Sequence, residues 1–443
     1  MGRQAFAEAP LTRLLVPRER QAGECRVAAT PETVRRLCGL GLAVSVEAGA
    51  GEASGYGDAA YQEAGAELCT PEALPWEAAE IVLCVQPPPL ESLARLQPEA
   101  LLIGLLAPYG ADALVALLAE RGASAIALEL LPRISRAQSM DVLSSQANIA
   151  GYKAVLLAAS QLDRYMPMLM TAAGTIQPAR ALILGAGVAG LQALATARRL
   201  GAVVTVSDVR PAAKEQVESL GGRFLEPPAQ QERPAEAGGY AQAASEAFLE
   251  AQRQQLAEQL AVSDLVICTA QVPGRPAPRL ISETMLDGMR PGSVVVDLAV
   301  AQGGNCAATV AGETVNRNGV LLIGADALPS SVANHASALY ARNLLALIEY
   351  LAEPASPGEA AEQRRQQLDP QDPILSGCLF ISRGDCLHPE VLSSGTATKA
   401  EVASARAGTT DSSTAGSITA ESSTAEPAAP HPDALESTVG ASR

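Results

Sequence analysis

A glycine-rich turn between a strand and a helix carries the strongest chemical signal in the sequence. Gly185, Gly187 and Gly190 follow the apolar run ALIL and precede the helical pattern LQALATARRL. In this context the first glycine makes a tight turn, the second lets the backbone approach a pyrophosphate, and the third lets the helix pack closely on the strand. Free N–H groups at the start of the helix favour phosphates. The spacing predicts a dinucleotide site; the alternative is a turn of the same type without a ligand.

An aspartate at the end of the next strand narrows the choice of dinucleotide. The run VVTVSDVR places Asp208 eighteen residues after Gly190. A carboxylate at this position accepts hydrogen bonds from both ribose hydroxyls and repels a 2′-phosphate, so the sequence favours NAD(H) over NADP(H). The neighbouring Arg210 is the residue that argues for NADP(H).

Two series of alternating strands and helices must position this turn. The runs LLVP, LAVSVEAG, AEIVLCV, LLIGLLA and SAIALEL alternate with helical patterns before the turn, and ARALILGAG, VVTVSDV, DLVICTA, SVVVDLA and GVLLIGA form the second series. Such alternation predicts an α/β protein with two Rossmann-like lobes, each built on a parallel sheet. Long helical patterns, from Asp141 to about Tyr165 and from Ser337 to Leu351, would join the lobes.

The domain bounds follow from these patterns. We expect a first lobe over residues 12–140 and 336–392, because the apolar run ILSGCLFIS can return the chain to the first sheet. The NAD(H)-binding lobe is expected over residues 141–335. Residues 393–443 are rich in Ser, Thr, Ala, Gly and Glu and have few large apolar side chains to offset the entropy of ordering. This tail is predicted to be disordered.

The composition excludes several classes of partner. The 443-residue chain has a formal net charge of −16, which disfavours nucleic acid and anionic lipid. Its apolar stretches are broken by proline or charge before they reach the length of a membrane span, so no direct membrane insertion is expected. The eight cysteines are scattered without a CxxC pair, and the N-terminus lacks the apolar region of a signal peptide. We expect a cytoplasmic protein with reduced thiols and without a metal.

The segment ahead of the glycine turn carries a family resemblance. LPRISRAQSMDVLSSQ, residues 131–146, resembles the signature loop of the NAD(H)-binding domain I of proton-translocating NAD(P) transhydrogenase. Similar blocks include GAGVAGLQALATARRLGAVV, DVRPAAKEQVESLGGRF, VPGRPAP, PGSVVVDLAVAQGGNC and SRGDCLHPEVL, and the resemblance runs roughly from Leu14 to Leu392. It implies the same α/β fold and hydride transfer between NADH and NADP⁺.

The resemblance also implies partners. Since the chain has one dinucleotide turn, the NADP(H)-binding subunit and the membrane-spanning proton-channel subunit of the family would be other polypeptides. The chain would be a homodimer, peripheral on the cytoplasmic face of the inner membrane through those subunits. Hydride transfer would be coupled to proton translocation by the membrane subunit.

Alanine dehydrogenase is the principal alternative. The block VPRERQAGECRVAATPE is similar to a signature that alanine dehydrogenases and transhydrogenases share. In alanine dehydrogenases a lysine in a VKEP-like strand end and a histidine in the following strand bind substrate and exchange protons. The corresponding stretches here read VQPP, residues 85–88, and IGLL, residues 103–106. Amino-acid oxidation needs a general base near neutral pH, which neither stretch supplies. A third possibility is an NAD(H)-binding protein that has lost the reaction.

The resemblance assigns six residues to the loop around the nicotinamide: Arg133, Ile134, Ser135, Gln138, Asp141 and Ser144. Arg133 would bridge the pyrophosphate, and Gln138 would reach towards the ribose of the second nucleotide. Asp141 and Ser144 would orient the carboxamide, while Ile134 and Ser135 would line the pocket. We take Arg133, Gln138, Asp141 and Ser144 as the candidate catalytic set; the alternative is a structural ion pair between Arg133 and Asp141.

Further nucleotide contacts are implied on the adenosine side: Val188, Asp208, Val209, Arg210, Gly239, Tyr240, Gln252 and Gln271. Gly239 and Tyr240 belong to AGGYA, residues 237–241, which resembles a mobile loop that closes over bound nucleotide. A plain solvent-exposed turn is the alternative. Gln271 stands where relatives usually carry an apolar residue, so this position departs from the family pattern.

Overall fold

The computed structural model describes residues 12–228, 246–272, 274–352 and 368–388 of the chain. The predicted closing loop with Gly239 and Tyr240 and the predicted disordered tail, residues 393–443, lie outside the described residues. Contacts join both sheets and their helices into one compact unit.

The first sheet has eight strands in the order β17-β16-β6-β5-β4-β1-β2-β3. Its strands are β1 (Thr12–Val16), β2 (Leu42–Glu47), β3 (Glu67–Cys69), β4 (Ile81–Leu83), β5 (Leu101–Gly104), β6 (Ser124–Ala127), β16 (Leu379–Ser382) and β17 (Asp385–Cys386). The first six are parallel, and β16 pairs antiparallel with β6. The chain thus returns to the first sheet at the run ILSGCLFIS.

The second sheet has seven strands in the order β11-β10-β9-β12-β13-β15-β14. Its strands are β9 (Arg180–Leu184), β10 (Val203–Ser207), β11 (Arg223–Phe224), β12 (Leu265–Cys268), β13 (Val294–Asp297), β14 (Thr314–Arg317) and β15 (Val320–Gly324). All neighbours are parallel except β14 and β15. A separate antiparallel hairpin consists of β7 (Leu169–Thr171) and β8 (Gly174–Ile176).

Helices form most of the connections between the parallel strands, as is usual for crossovers of this kind. The described residues include eleven α-helices. They are α1 (Pro31–Gly39), α2 (Asp58–Glu63), α3 (Leu90–Leu93), α4 (Asp112–Arg121), α5 (Val142–Gln161), α6 (Val188–Arg199), α7 (Ala213–Ser219), α8 (Glu246–Ala261), α9 (Glu283–Asp287), α10 (Ala333–Ala352) and α11 (Leu375–Cys378). Short 3₁₀ turns occur at Glu52–Ser54, Pro71–Ala73, Leu128–Leu130, Ser135–Met140, Val300–Gln302 and Leu328–Val332.

The central strands are apolar because helices cover both faces of each sheet. Every residue is buried in the strands LLIG of β5, SAIA of β6, LVIC of β12 and VVVD of β13. Strands buried on both faces read as continuous apolar runs rather than alternating ones. This is why the sequence predicts these strands correctly.

Two helices, α5 and α10, have 20 residues each. Helix α5 contributes side chains to the cores of both sheets, and α10 packs in the core of the first sheet. Helix α5 packs closely against α6, because a Cβ added at Gly151 would lie only 2.1 Å from the backbone oxygen of Ala189. Asn148 of α5 also donates to the Gln192 side chain at 3.2 Å. The long helix that follows the 131–146 segment is therefore fixed against the first turns of α6.

The α/β prediction with two sheets linked by helices is confirmed. The sheets are mostly parallel rather than wholly parallel, since the edge strand β14 and the penultimate strand β16 run antiparallel to the other strands of their sheets, and β17 pairs antiparallel with β16. The predicted bounds of the lobes, 12–140 with 336–392 and 141–335, stay a prediction. In the described part of the chain, no helix combines the length and apolar character that a membrane span requires.

Candidate functional site

The glycine turn lies at the carboxyl end of β9, at the point where the strand order of the second sheet reverses. Gly185 has a φ of +100°, a conformation that L side chains rarely adopt. A Cβ at Gly190 would lie 1.8 Å from the backbone oxygen of Gly185, so only glycine lets α6 approach the strand. A Cβ at Gly187, in contrast, would meet no atom within 4 Å. Gly185 is thus required by its backbone conformation and Gly190 by packing, whereas Gly187 borders open space.

This open space suits a pyrophosphate. Helix α6 begins at Val188 with Gly187 as its N-cap, and no described side chain caps it. The first N–H groups of a helix have no intrahelical acceptor, and they point outward along the axis with a partial positive charge. Space at Gly187 and unpaired N–H groups at Val188 are the features that a phosphate group requires, so the residues present fit a dinucleotide.

Asp208 forms the adjacent wall, with its side chain 7% exposed. Its Oδ2 accepts the Ala186 N–H at 2.7 Å, and its Oδ1 accepts the Arg210 N–H at 2.8 Å. The Arg210 guanidinium donates to both oxygens, at 2.9 and 3.0 Å. Burial on its own would raise the pKa of Asp208, but the hydrogen bonds from Arg210 and Ala186 outweigh it and lower the pKa. The lowered pKa favours the ionised carboxylate, whose oxygens are acceptors of the kind that ribose hydroxyls require.

The 131–146 segment presents several of its predicted residues to solvent. Arg133, Ile134, Ser135 and Gln138 are all exposed around the 3₁₀ turn Ser135–Met140. No ion pair involves Arg133 within the described ranges, so the alternative of an Arg133–Asp141 pair is not observed. Its guanidinium remains available to an anion.

Asp141 and Ser144 are bonded to each other at the start of α5. Asp141 is the N-cap of this helix and accepts the Ser144 N–H at 2.9 Å. The Ser144 hydroxyl donates to the second carboxylate oxygen at 2.6 Å. Because that bond uses the one hydroxyl hydrogen of Ser144, its oxygen can only accept from a ligand, for example from an amide N–H₂. The pair therefore has a capping role that the sequence analysis did not assign.

The remaining predicted contacts are dispersed. Val188 and Val209 are 43% and 75% exposed, which leaves apolar surface on either side of Asp208. Gln252 lies part-buried on α8. Gln271 is exposed, and its amide donates to the backbone oxygen of Leu298 at 2.7 Å. The structure thus brings together the glycine turn, Asp208 and Arg210, and it pairs Asp141 with Ser144.

Two supporting residues were missed by the sequence analysis. The Thr269 hydroxyl, just after β12, lies within hydrogen-bond distance of the carbonyl oxygens of Leu184 and Gly185, at 3.0 and 3.1 Å. Asn305, fully buried, accepts the Ala270 N–H at 3.0 Å and donates to the Ala270 carbonyl at 2.8 Å. Together they fix the loop that faces the glycine turn. A polar residue directly after an apolar strand is the one sequence signal that could have identified Thr269.

The first sheet has an equivalent point of reversal between β1 and β4, and a carboxylate fills it. Glu19 accepts the Val85 N–H at 2.6 Å and the Gln86 N–H at 3.0 Å. Burial raises the pKa of Glu19 to about 7, against the lowering effect of these two hydrogen bonds. Gln86, at the position of the lysine in the VKEP-like strand end, donates to Glu24 at 3.3 Å.

A buried ion pair adjoins this carboxylate. Arg26 donates from Nε and Nη2 to Glu24 at 2.8 and 2.6 Å, and from Nη1 to Gln146 on α5 at 3.0 Å. Burial would raise the pKa of Glu24, but the Arg26 guanidinium and a hydrogen bond from Ser330 lower it to about 2. The Arg26 side chain is thus engaged by other residues of the chain.

Comparisons with known proteins agree over most of the chain. Residues 15–150 match the model for the N-terminal domain of alanine dehydrogenase/PNT, and residues 154–389 match the model for its C-terminal domain. The first portion of NAD(P) transhydrogenase subunit alpha of Rhodospirillum rubrum is 43% identical over 389 residues, which cover 86% of this chain and 100% of that protein. A crystal structure of transhydrogenase from Sinorhizobium meliloti has a TM-score of 0.74 and 43% sequence identity to this chain. The match covers 84% of this chain and 99% of that structure's chain. Alanine dehydrogenase of Halomonas elongata is 33% identical over 295 residues, which cover 66% of this chain and 73% of that protein.

Proposed function

Since the chain belongs to the alanine dehydrogenase/PNT family and is a homologue of the first portion of NAD(P) transhydrogenase subunit alpha, we propose that it is the NAD(H)-binding component of a proton-translocating transhydrogenase. It binds NAD(H) as a substrate and exchanges hydride with NADP(H) on another subunit. That subunit and a membrane-spanning proton-channel subunit are its partners. The chain is a homodimer that sits on the cytoplasmic face of the membrane through them.

One observation carries this proposal over alanine dehydrogenase. Open space at Gly187 and the carboxylate of Asp208 support a dinucleotide site, whereas the stretches that would supply an acid and a base for amino-acid oxidation read VQPP and IGLL. In their place Glu19 accepts two backbone N–H groups, and Gln86 is bonded to Glu24. Direct hydride transfer between two nicotinamides needs no proton transfer at carbon, so this arrangement is compatible with it.

The residues of the chain then act by binding and positioning. The N–H groups at Val188 and the Arg133 guanidinium hold the pyrophosphate, and Asp208 accepts the ribose hydroxyls. The Ser144 oxygen accepts from the carboxamide, while Ile134 limits the access of water. The bound nucleotide supplies the hydride. Holding both rings in a near-attack arrangement can supply roughly 7–11 kcal/mol of the barrier.

The proposal is tested by mixing the chain with an NADP(H)-binding subunit of the family and following reduction of an NAD analogue by NADPH. Stimulation of the reaction by this chain is the expected result. Absence of stimulation rejects the proposal. An alanine deamination assay with NAD⁺ and no partner separates the alternatives, because turnover there would indicate an alanine dehydrogenase. Normal NADH binding without either activity would indicate an inactive NAD(H)-binding protein.

A further inference from the structure

The 3₁₀ turn Ser135–Met140 has two faces with different environments. Ser135 and Gln138 are exposed on one face, which would face the nicotinamide under the proposed function. Ala137 and Met140 are 1% and 4% exposed and pack in the core of the first sheet. The turn is therefore attached on one side and free on the other. What attaches it determines where its free side chains lie.

Asn343 of α10 makes the most specific of these attachments. Its Nδ2 donates to the backbone carbonyl of Ser139 at 2.6 Å. Its Oδ1 accepts the hydroxyl of Ser145, in the first turn of α5, at 2.8 Å. One side-chain amide thus connects the 3₁₀ turn with the start of α5, on either side of Asp141. A side-chain amide carries its donor and its acceptor on separate atoms, which suits these two contacts.

A second contact on the same helix supports the turn at its other end. The Arg136 guanidinium lies over the ring of Tyr350, 5.7 Å from the ring centroid. The Tyr350 hydroxyl donates to Asp372 at 2.5 Å. Tyr350 follows Asn343 by seven residues, about two helical turns, so both side chains project from the same side of α10. Helix α10 therefore supports the turn along its length.

Such support has a physical purpose in hydride transfer. A 3₁₀ turn has poorer hydrogen-bond geometry than an α-helix and does not fix its own position. A displacement of about 1 Å in groups that position the reactants can cost roughly a hundredfold in rate. A residue that fixes the turn thus acts on the rate without contacting the nucleotide.

We propose that Asn343 is a positioning residue for hydride transfer: its amide holds the Ser139 carbonyl and Ser145 so that Gln138, Asp141 and Ser144 keep the nicotinamide in its reactive position. This inference rests on the proposed function of the chain. Asn343 is not a catalytic residue, because it contacts only other residues of the protein.

The test compares Asn343→Ala with Asn334→Ala in the full chain, assayed with the NADP(H)-binding subunit. Asn334 lies on the same helix and makes the same type of bond, from Nδ2 to the carbonyl of Ser54 at 2.8 Å, away from the turn. We expect Asn343→Ala to lower kcat by roughly ten- to a hundredfold, with less than about a threefold change in KM for NADH. Asn334→Ala should leave both constants near the wild-type values. Equal losses in the two variants would overturn the inference.

Two further measurements keep the test decisive. Ser145→Ala removes one of the two bonds of Asn343 and is expected to lower kcat by less than Asn343→Ala, which covers the case in which Asn343→Ala fails to fold. Hydrogen exchange at the backbone amides of residues 135–140, measured without the partner subunit, should be faster than in wild type in Asn343→Ala and in Ser145→Ala. It should be unchanged in Asn334→Ala. If exchange and kcat are both unchanged in Asn343→Ala, the inference about Asn343 is rejected, but the proposed function is not. Ser145→Ala takes the place of Asn343→Ala in this test if Asn343→Ala does not fold. A wild-type chain that transfers no hydride rejects the proposed function instead.

Discussion

The two sheets share a topology, but they differ at the crevice where the strand order reverses. The crevice is open in the second sheet and filled by a side chain in the first. In each sheet the strand order reverses once between parallel strands, at β1 and β4 in the first and at β9 and β12 in the second. Ligands of such sheets bind outside the carboxyl ends of the strands at this point. In the second sheet Gly187 leaves this place open; in the first, Glu19 fills it and takes the local backbone N–H groups as its donors.

Strand order therefore creates a crevice in each sheet, and the residues at the crevice determine whether a ligand can enter it. An open crevice needs unpaired N–H groups and a residue without a Cβ, as at Gly187. A closed crevice needs a carboxylate that satisfies the same kind of group from within the chain, as Glu19 does for Val85 and Gln86. We therefore expect the nucleotide to bind at the crevice of the second sheet and not at the crevice of the first sheet.

The largest effect is expected from alanine at the two glycines of the open crevice. In Gly190→Ala the new Cβ meets the backbone oxygen of Gly185, which cannot move aside, so overpacking should cost about 1–3 kcal/mol of stability and abolish measurable NADH binding. Gly187→Ala should fold with wild-type stability, since its Cβ meets no atom, and still lose NADH affinity by about tenfold or more, roughly 1.4 kcal/mol. Thermal unfolding and NADH titration measure the two quantities. Wild-type affinity in Gly187→Ala would show that the pyrophosphate lies elsewhere.

The closed crevice predicts a pH dependence of stability. The pKa of Glu19 is raised from 4.5 to about 7, so its contribution is fully present below 4.5 and is lost as the pH rises through 7. The shift corresponds to at most about 3 kcal/mol. Glu24 behaves in the opposite way: its pKa is lowered to about 2, so its contribution is present above 4.5 and is lost as the pH falls towards 2.

Urea unfolding of wild type and Glu19→Gln between pH 5 and 8 measures this difference. The wild-type free energy of unfolding should fall with rising pH, and the slope should be smaller in Glu19→Gln. Glu24→Gln should lower the stability over the whole range and also reduce the slope, because the charge of Glu24 contributes to the raised pKa of Glu19. Equal slopes in wild type and Glu19→Gln would mean that Glu19 is not the titrating group.

Asp208 provides the next effect in size. Asp208→Asn removes a charged acceptor of two ribose hydroxyls, a loss of about 1.5–3 kcal/mol or roughly 10- to 100-fold in NADH affinity. It should also reduce the preference for NADH over NADPH, because the 2′-phosphate is no longer repelled. Asp287→Asn is a matched control, since Asp287 is also held by an arginine, Arg317, on the surface. An unchanged cofactor preference in Asp208→Asn would contradict the role of this carboxylate.

Arg210 should have the smallest effect. Its side chain is 61% exposed in its ion pair with Asp208, and exposed pairs contribute about 0–1 kcal/mol. Arg210→Ala is therefore expected to change NADH affinity by less than about fivefold, with NADPH binding no better than in wild type. Isothermal titration with both nucleotides measures this. A loss as large as that of Asp208→Asn would mean that the guanidinium, and not the carboxylate, makes the main contact.

What could be predicted from the sequence depends on the range of the interaction. The glycine turn, Asp208 and the long helices follow from patterns of a few residues, and the buried strands follow from their apolar composition. The closing of the first crevice depends on pairing between β1 and β4, which brings Glu19 to Val85 across 66 positions. The bond from Asn343 to Ser139 spans 204 positions. Short strands such as β11 and β17, of two residues each, have no periodicity to detect.

Hydride transfer from NADH that carries deuterium at both C4 positions of its nicotinamide ring tests whether hydride passes directly from one nucleotide to the other. The chain is mixed with the NADP(H)-binding subunit and NADP⁺ in ordinary water, and the NADPH formed is analysed by mass spectrometry. We expect the NADPH to carry the deuterium, because hydride passes directly between nucleotides held by two chains. NADPH without deuterium, or no NADPH at all, would contradict it.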